Sequence, residues 1–260
     1  SNCYSTGNTI GSSYSGGFVG LNDTDGTIIN SYSEGSVSHD GLEGFGGFVG
    51  NNNGTINNCF SRCDLDGTGD YVAGFAGINA GLIYSSYSTG SVAGASNLAG
   101  FCSLNTSDIS NCFWDKETSG QSASAGGTGK TTTEMKDVAT FTSTATSGLD
   151  NPWDFVDDPN DDTGSQDYWS ITQGINSGYP YLKCQEPSGN IFYVDKNAAG
   201  LGNGLSWTNA YSNLQDALND KWLEQGDTVW VADATYLPDE GTGYTAGARD
   251  TSFRVPDGVE

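Results

Sequence analysis

The chain has 260 residues, 38 of them glycine, and carries 32 acidic against 9 basic side chains, a net charge of -23. A surface this acidic repels polyanions, which excludes nucleic-acid binding and disfavours an anionic membrane surface. Leu, Ile, Val and Phe make up roughly 18% of the residues, a share typical of disordered charged chains, but 13 Tyr, 11 Phe and 6 Trp recurring at regular intervals oppose disorder.

From the first residues a pattern repeats down to about residue 115. Its first part is a small residue, an aromatic and usually Ser: Cys3-Tyr4-Ser5, Ser31-Tyr32-Ser33, Cys59-Phe60-Ser61, Ser86-Tyr87-Ser88 and Cys112-Phe113-Trp114. These aromatics lie 28, 28, 27 and 26 residues apart. The second part is a glycine-flanked apolar step at Phe18, Phe48, Phe75 and Phe101. The third is an isoleucine four residues before the next aromatic: Ile28, Ile56, Ile83 and Ile109. Each step is too short for a helix, and Gly, Asn and Asp between them supply turns, including positive φ.

Three short strands and three turns per unit describe one coil of a β-solenoid, with identical positions stacked about 4.8 Å apart. Stacking keeps the aromatics in place because each ring buries area on its neighbours. The glycines beside Phe18, Phe48, Phe75 and Phe101 are expected to leave room for inward rings. A β-sandwich of hairpins is the competing fold, and the fixed isoleucine offset argues against it. Cys3, Cys59 and Cys112 occupy alternate units, about 9–10 Å apart on this model, too far for a disulfide. Small buried residues interchangeable with Ser31 and Ser86 are the expectation for them. Cys184 lies outside the repeats and is left open to pair with another cysteine. With no CxxC pair and His39 as the single histidine, a zinc site is not expected.

These units resemble the GLUG motif, a repeat of large bacterial secreted and surface proteins that includes the Gly-Phe-Val-Gly step. The resemblance covers residues 2–115 and continues through Phe113-Trp114-Asp115, Thr118 to Gln121 and Gly126 to Thr131, which look like the usual end of such arrays. It departs at Cys102-Ser103, where Val-Gly is expected, and a weaker strand is expected there. The chain starts inside a repeating pattern and is read as a piece of a longer protein.

Gly126 to Thr132 imitates a phosphate-binding loop, but Ser124 stands where the first glycine is required and no apolar strand precedes it. A turn into a short helix is expected instead, with Thr131 and Glu134 as a capping box before Met135, Val138 and Phe141. Residues 151–182 are rich in aromatics: Trp153, Phe155, Tyr168, Trp169, Tyr179 and Tyr181. They are expected to form short strands or an irregular lid closing the C-terminal end of the array, because an open solenoid end exposes unpaired edges.

The linker 183–190, with Pro187 and Gly189, is expected to turn, and its eight residues reach at most about 28 Å. A second module follows: a strand from Ile191 to Asp195, a Gly200–Gly204 loop with Ser206-Trp207, helical spacing from Tyr211 to Leu218, a strand from Thr228 to Ala232, and Thr235–Pro238 continuing to an edge. As a set these resemble the opening of right-handed parallel β-helix modules of the pectate-lyase-like class. The reading is therefore mainly β: a solenoid array (1–115), its extension and cap (116–182), the linker, and a truncated β-helix with one capping helix (191–260). The two modules are expected to have separate cores and a modest polar interface.

No catalytic constellation stands out. Arg62 is isolated within the repeats, and His39 has no nucleophile beside it in sequence. Calcium takes several oxygen ligands, and alternating acids in Gly-containing loops supply them. Asp158, Asn160 and Asp162 form one such candidate, and Asp64, Asp66 and Asp70 another, both without the twelfth-position Glu of an EF-hand. No other cofactor is expected. No run of about 18 apolar residues occurs, so no membrane insertion is expected in this segment. The functional expectation is a non-enzymatic structural or adhesive module of a large secreted or cell-surface bacterial protein. Its partners would be extracellular glycans, other surface proteins and flanking parts of the same chain. The alternatives are the N-terminal part of a polysaccharide-degrading β-helix enzyme, and a glycan-binding module carrying exposed Tyr or Trp in a row.

Overall fold

The computed structural model describes residues 1–41, 43–156, 167–172, 175–185, 190–220, 223, 227–245, 247 and 252–255. The chain divides into two compact units, Ser1–Cys184 and Gln185–Glu260.

In the first unit the repeats wind into a β-solenoid with three parallel sheets. One sheet holds Tyr4–Ser5, Thr27–His39, Thr55–Gly67, Tyr87–Ser88, Phe113–Asp115 and Thr128–Lys130, with Thr9–Gly11, Leu82–Tyr84 and Ile109–Ser110 beside them. The second stacks Val19–Asn22, Val49–Asn52, Ala76–Asn79 and Cys102–Asn105. The third stacks Ser15–Gly16, Glu43–Gly46, Asp70–Ala73 and Leu98–Ala99. Every pairing among these strands is parallel, which rules out a sandwich of hairpins.

The register follows the repeat: Tyr4 faces Tyr32, Tyr32 faces Phe60, Phe60 faces Tyr87, and Tyr87 faces Phe113. Ile28, Ile56, Ile83 and Ile109 form a third row. The Phe18–Phe48–Phe75–Phe101 rings stack at 4.8, 4.9 and 4.7 Å, the spacing of neighbouring strands.

Two corners per coil turn through left-handed backbone. Asn2, Asn30, Asn58, Ser85 and Asn111 occupy one, with φ between 48° and 55°, and Tyr14, Gly44, Tyr71 and Asn97 the other. Asparagine is the residue that tolerates this region best after glycine, so its recurrence before four of the five small-aromatic steps follows from the backbone, with Ser85 at the fifth.

At three of the four inward rings the preceding glycine is required for a different reason from the one expected. A Cβ on Gly47 would lie 2.2 Å from the Gly74 carbonyl and 2.3 Å from the Ser61 hydroxyl. There, as at Gly17 and Gly74, the crowding comes from the next coil's backbone and inward side chains, whereas at Gly100 it comes from the Trp114 indole, 1.9 Å from a Cβ placed there. The inward serines bond across the lumen: Ser33 Oγ donates to Gly47 O at 2.8 Å, and Ser88 Oγ to Gly100 O at 2.9 Å.

Two apolar clusters fill the lumen. One joins Phe48, Phe75, Phe101, Ile56, Ile83, Cys59 and Cys112; the other joins Val37, Phe45, Cys63, Leu65, Val72 and Val92. The departure at Cys102 does not weaken its strand. Cys102–Asn105 is as long as its neighbours because the buried thiol fills the place of Val49 and Ala76.

Among the described residues of 151–182 the expected short strands occur, Trp169–Ser170 and Tyr181–Leu182, but the end of the array is closed by an earlier stretch. The C-terminal edge of the array is closed by residues 119–130. Gly100 N donates to Ala123 O, Ala125 N to Cys102 O and Val92 N to Ser119 O, while Thr128–Lys130 pairs with Phe113–Asp115. The later aromatic segment instead lies along the flank of the first sheet. Phe141, Leu149, Trp153, Phe155, Trp169, Tyr179 and Leu182 form one cluster with Phe60, Tyr87 and Phe113 of the array. Thr131 and Glu134 make the capping box, but the helix breaks into Thr132–Met135 and Ala139–Thr142. Trp169–Ser170 pairs antiparallel with Tyr181–Leu182. Pro187 and Gly189 lie outside the described residues.

In the second unit Ile191–Val194 pairs in parallel with Thr228–Val231, and the helix Leu214–Leu218 packs against the former strand. Asp227 is buried and accepts from Asn190 N at 2.6 Å, fixing the two strand starts together. The helix is shorter than its spacing suggests because Tyr211 is held as a strand-like bridge to Val194. Thr235–Pro238 forms no strand among the described residues. Tyr236 Oη donates to Ala232 O and accepts from Lys196 N.

Candidate functional site

Two of the acids singled out for calcium, Asp64 and Asp70, have other work. Asp64 Oδ1 accepts from Ser91 N at 2.9 Å and Ser91 Oγ at 2.7 Å. Asp70 Oδ1 accepts from Ser96 Oγ at 2.8 Å, Asn97 Nδ2 at 2.6 Å and Tyr71 N at 2.9 Å. Ser91, Ser96 and Asn97 belong to the next coil, so both aspartates tie one coil to its neighbour. The Ser96 and Asn97 bonds hold the Asp70 carboxyl below its ordinary range. Asp66 stands on the same strand as Asp64, facing Ser38. Among the described residues no group of three or more His, Cys, Asp or Glu side chains is placed to hold a metal ion. Asp158, Asn160 and Asp162 lie outside the described residues.

The cysteines are also engaged as packing. Cys3, Cys59, Cys63, Cys102 and Cys112 are free thiols, and all but Cys3 are buried. Burial pushes the Cys59 and Cys102 thiols up to about 12 and raises Cys63 and Cys112 as well. The serines of alternate coils accept backbone donors, as where Cys59 N donates to Ser86 Oγ at 3.1 Å. The side chain of Cys184 lies outside the described residues.

Arg62 joins two parts of the first unit. It pairs with Glu34 at 3.2 Å and donates to Asn176 Oδ1 at 2.5 Å and Ser177 Oγ at 3.4 Å, pinning the flank segment to the sheet. Asp115, fully buried, is a second pin. Its Oδ1 accepts from Glu117 N and Thr118 N, and its Oδ2 from Thr132 Oγ1 and Tyr179 Oη, both at 2.7 Å. Burial and the Asp115 carboxylate push the Tyr179 phenol up to about 12.

The outer aromatic row is the surface this flank segment grips. Tyr4, Tyr32, Phe60 and Tyr87 stack at 5.3, 4.9 and 5.0 Å. Trp169 lies over Phe60 and Tyr87 at 6.3 and 5.9 Å, and its Nε1 donates to Asn58 Oδ1 at 3.3 Å. Trp153 lies over Phe113 and Tyr87 at 6.0 and 6.3 Å, and its Nε1 donates to Asn111 O at 2.9 Å. Tyr87 Oη donates to Pro180 O at 2.5 Å.

A row of asparagines, missed in the sequence, runs through the array. Asn22 Nδ2 donates to Asn52 Oδ1 at 2.7 Å, Asn52 Nδ2 to Asn79 Oδ1 at 2.8 Å, and Asn79 Nδ2 to Asn105 Oδ1 at 2.8 Å. Each amide also donates to a turn carbonyl of its own coil: Gly26, Gly54 and Gly81. The signal was present, because each of these residues stands four places after an inward phenylalanine.

Residues 11–38 match the family model described as the GLUG motif. The chain carries a GLUG repeat. A protein of Evansella cellulosilytica, described as a Gly-rich membrane protein, is 32% identical over 117 residues, which is 41% of this chain and 13% of that relative. The chain thus spans a small part of the relative it matches. No solved structure matches it. No helix among the described residues is long and apolar enough to cross a membrane.

The second unit presents two further features. A cavity of about 440 Å³ is lined by Gly202, Tyr211, Asp216, Asn219, Asp220 and Thr242. Its acids are bonded locally: Asp220 to the Tyr211 hydroxyl, and Asp216 to Thr242 N and Asn213 Nδ2. Trp207 and Trp230, 45% and 48% exposed, stand edge-to-face around Tyr193 at 4.9 and 5.9 Å.

Proposed function

We propose that this GLUG chain is a non-enzymatic structural module of a large surface-associated bacterial protein, placed outside the cell and used in adhesion. The observation that carries the reading is how the array employs its polar and reactive groups. Asn22, Asn52, Asn79 and Asn105 bond one another, Asp64 and Asp70 bond the next coil, Asp115 and Arg62 hold the flank, and four thiols are buried. Such cross-coil bonding ties each repeat to its neighbours and leaves these groups committed to holding the stack. The GLUG match and the membrane-protein description of the Evansella relative support a surface setting. Immobilised chain should retain whole bacterial cells or extracellular matrix above a charge-matched control, and should turn over no acidic or neutral polysaccharide. Turnover would favour the β-helix enzyme, whose opening strand–loop–helix–strand order the second unit has. Calcium enters this reading through Asp158, Asn160 and Asp162; an unchanged melting midpoint in excess chelator removes it.

A second reading, a glycan-binding module, is favoured by the exposed Trp207 and Trp230 around Tyr193. Sugar C–H faces stack on such rings, and the rings are already braced against one another. The acidity of the chain points to neutral glycans. A glycan array read with wild type and Trp230→Ala tests it, and equal signals reject it.

A further inference from the structure

The two ends of the array are finished differently. At the C-terminal end residues 119–130 take up the strand edges, with Gly100 N donating to Ala123 O and Ala125 N to Cys102 O. The inward row Ser33, Ser61 and Ser88 ends there in Trp114, whose indole fills the lumen against Gly100. At the N-terminal end nothing comparable occurs among the described residues. Tyr4–Ser5 and Thr9–Gly11 pair only with Thr27–His39, Ser15–Gly16 only with Glu43–Gly46, and Val19–Asn22 only with Val49–Asn52. Each of these strands keeps one side without a ladder partner, and such an edge is a template for another strand. Phe18 and Val19 are only partly buried, where Phe48 and Val49 are fully enclosed.

Two side chains on this face lack a bond that their equivalents make across a coil step. Asn52, Asn79 and Asn105 each receive at Oδ1 the amide of the coil before. Asn22 Oδ1 receives no donor among the described residues, and Asn22 keeps 6% exposure where Asn52 and Asn79 have none. The thiols repeat the pattern. Cys59 Sγ lies 3.9 Å from Ile28 O and Cys112 Sγ 3.7 Å from Ile83 O, in each case an acceptor one coil back. Cys3 is exposed and bonds only within its own coil, to Ser1 O, as Cys59 also does to Asn57 O and Cys112 to Ser110 O.

We infer that the N-terminal face of the array is a docking surface for one more coil of the same repeat, carried ahead of Ser1 on the same polypeptide. The ladder asparagine of that coil donates to Asn22 Oδ1, and its isoleucine carbonyl accepts from Cys3 Sγ. A second copy of the chain does not meet these needs. Its C-terminal edge is taken by its own residues 119–130, so it cannot stack head to tail. Its N-terminal edge would set Asn22 Oδ1 against Asn22 Oδ1, acceptor against acceptor, because Nδ2 is engaged by Gly26 O and Asn52 Oδ1. A parallel coil of the same polarity supplies the donor, the acceptor and an aromatic ring to stack on Tyr4, which is 67% exposed. The Evansella relative has ample length for such coils, since this chain covers 13% of it. The surface belongs to the array and does not depend on the adhesive reading of the whole module.

The test joins a copy of residues 23–56 directly ahead of Ser1 in the full chain, which keeps the small-aromatic steps 28 residues apart. The copy contains no cysteine, so Cys3 reports on the covered face. Alkylation of native Cys3 should slow at least tenfold, and the urea midpoint should rise. Asn52→Ala within the copy removes the donor to Asn22 and should give a smaller rise. A scrambled copy of the same composition should leave both readouts at the wild-type values. Cys3 reacting as fast in the extended chain as in wild type overturns the inference, as does equal protection by the scrambled copy. Sedimentation of wild type should show a monomer across concentrations. A dimer that protects Cys3 would make a second copy the occupant and overturn the inference too.

Discussion

Two aromatic rows run up the array with the same spacing and opposite fates. Phe18, Phe48, Phe75 and Phe101 point into the lumen, where the coils themselves enclose them. Tyr4, Tyr32, Phe60, Tyr87 and Phe113 point outwards, and only a separate segment covers part of them. Both rows gain from stacking, but the inner row is completed by the repeat alone, whereas the outer row is an interface. Its composition agrees: the inner row is all Phe, and the outer row admits Tyr, whose hydroxyl can reach a partner, as Tyr87 reaches Pro180.

The comparison is broken most severely from the inside. Phe75 is fully buried between Phe48 and Phe101, and Phe75→Ala should destabilise the array by about 3–5 kcal/mol. Urea unfolding followed by far-UV circular dichroism would show one transition shifted as a whole. A variant that retains the wild-type midpoint would remove the inner row from the list of what holds the coils together. From the outside the loss should be local. Trp169→Ala should cost about 3 kcal/mol, charged to the flank segment. Limited proteolysis should then cut within residues 141–182 while a fragment containing residues 1–130 survives. If the whole chain is degraded together, the two rows are not energetically separate.

Below both rows in size lies the asparagine row. Asn52 is fully buried, and Asn52→Ala leaves Asn22 Nδ2 and Asn79 Oδ1 without their principal partners. The expected cost is about 2–3 kcal/mol, from two polar groups deprived of a bond in the interior. Asn22→Ala, at the end of the row, strands only one partner and should cost less. Equal losses at the two positions would contradict a cumulative ladder.

How much of this was legible follows from where each signal sits. The period, the inward Phe steps and the isoleucine row repeat in sequence, so stacking could be read from spacing alone. Which way an aromatic points could not be read, because a stacked row has the same spacing on either side of a strand. The flank segment has no period, and its partners lie far away in sequence: Trp169 with Asn58, Asn176 with Arg62, Tyr179 with Asp115. The acid alternation at Asp64 and Asp70 was visible, but their partners Ser91, Ser96 and Asn97 sit one coil on, and only the register reveals them. The asparagine row was legible in principle and overlooked because Asn also recurs at the turns.

Alkaline titration sharpens the inner side of the comparison. The buried Cys59 and Cys102 thiols ionise at about 12 when folded, against an ordinary value of 9.0. A folded pKa above the unfolded one means stability is fully present below pH 9 and declines as pH rises towards 12. While the unfolded state has lost its proton and the folded state has not, each thiol removes about 1.4 kcal/mol per pH unit. The Cys59→Ser, Cys102→Ala double variant should show a shallower decline in urea midpoint between pH 9 and 11. Native wild type should be alkylated at Cys3 before any of the other four repeat cysteines.

The smallest expected effect lies on the surface and has the opposite pH sign. Asp70 is held below its ordinary pKa by Ser96 first, then Asn97, both across one coil step. A depressed folded pKa gives stability that is present above the unfolded carboxylate value and lost as pH falls through the folded one. The carboxylate is solvent-exposed, so screening reduces the effect to a few tenths of a kcal/mol or less. Asp70→Asn should therefore move the melting midpoint slightly at pH 7, and the difference should shrink as pH falls through the carboxylate range. If the variant's deficit were larger at pH 2 than at pH 7, the Ser96 and Asn97 bonds would not be what lowers this carboxyl.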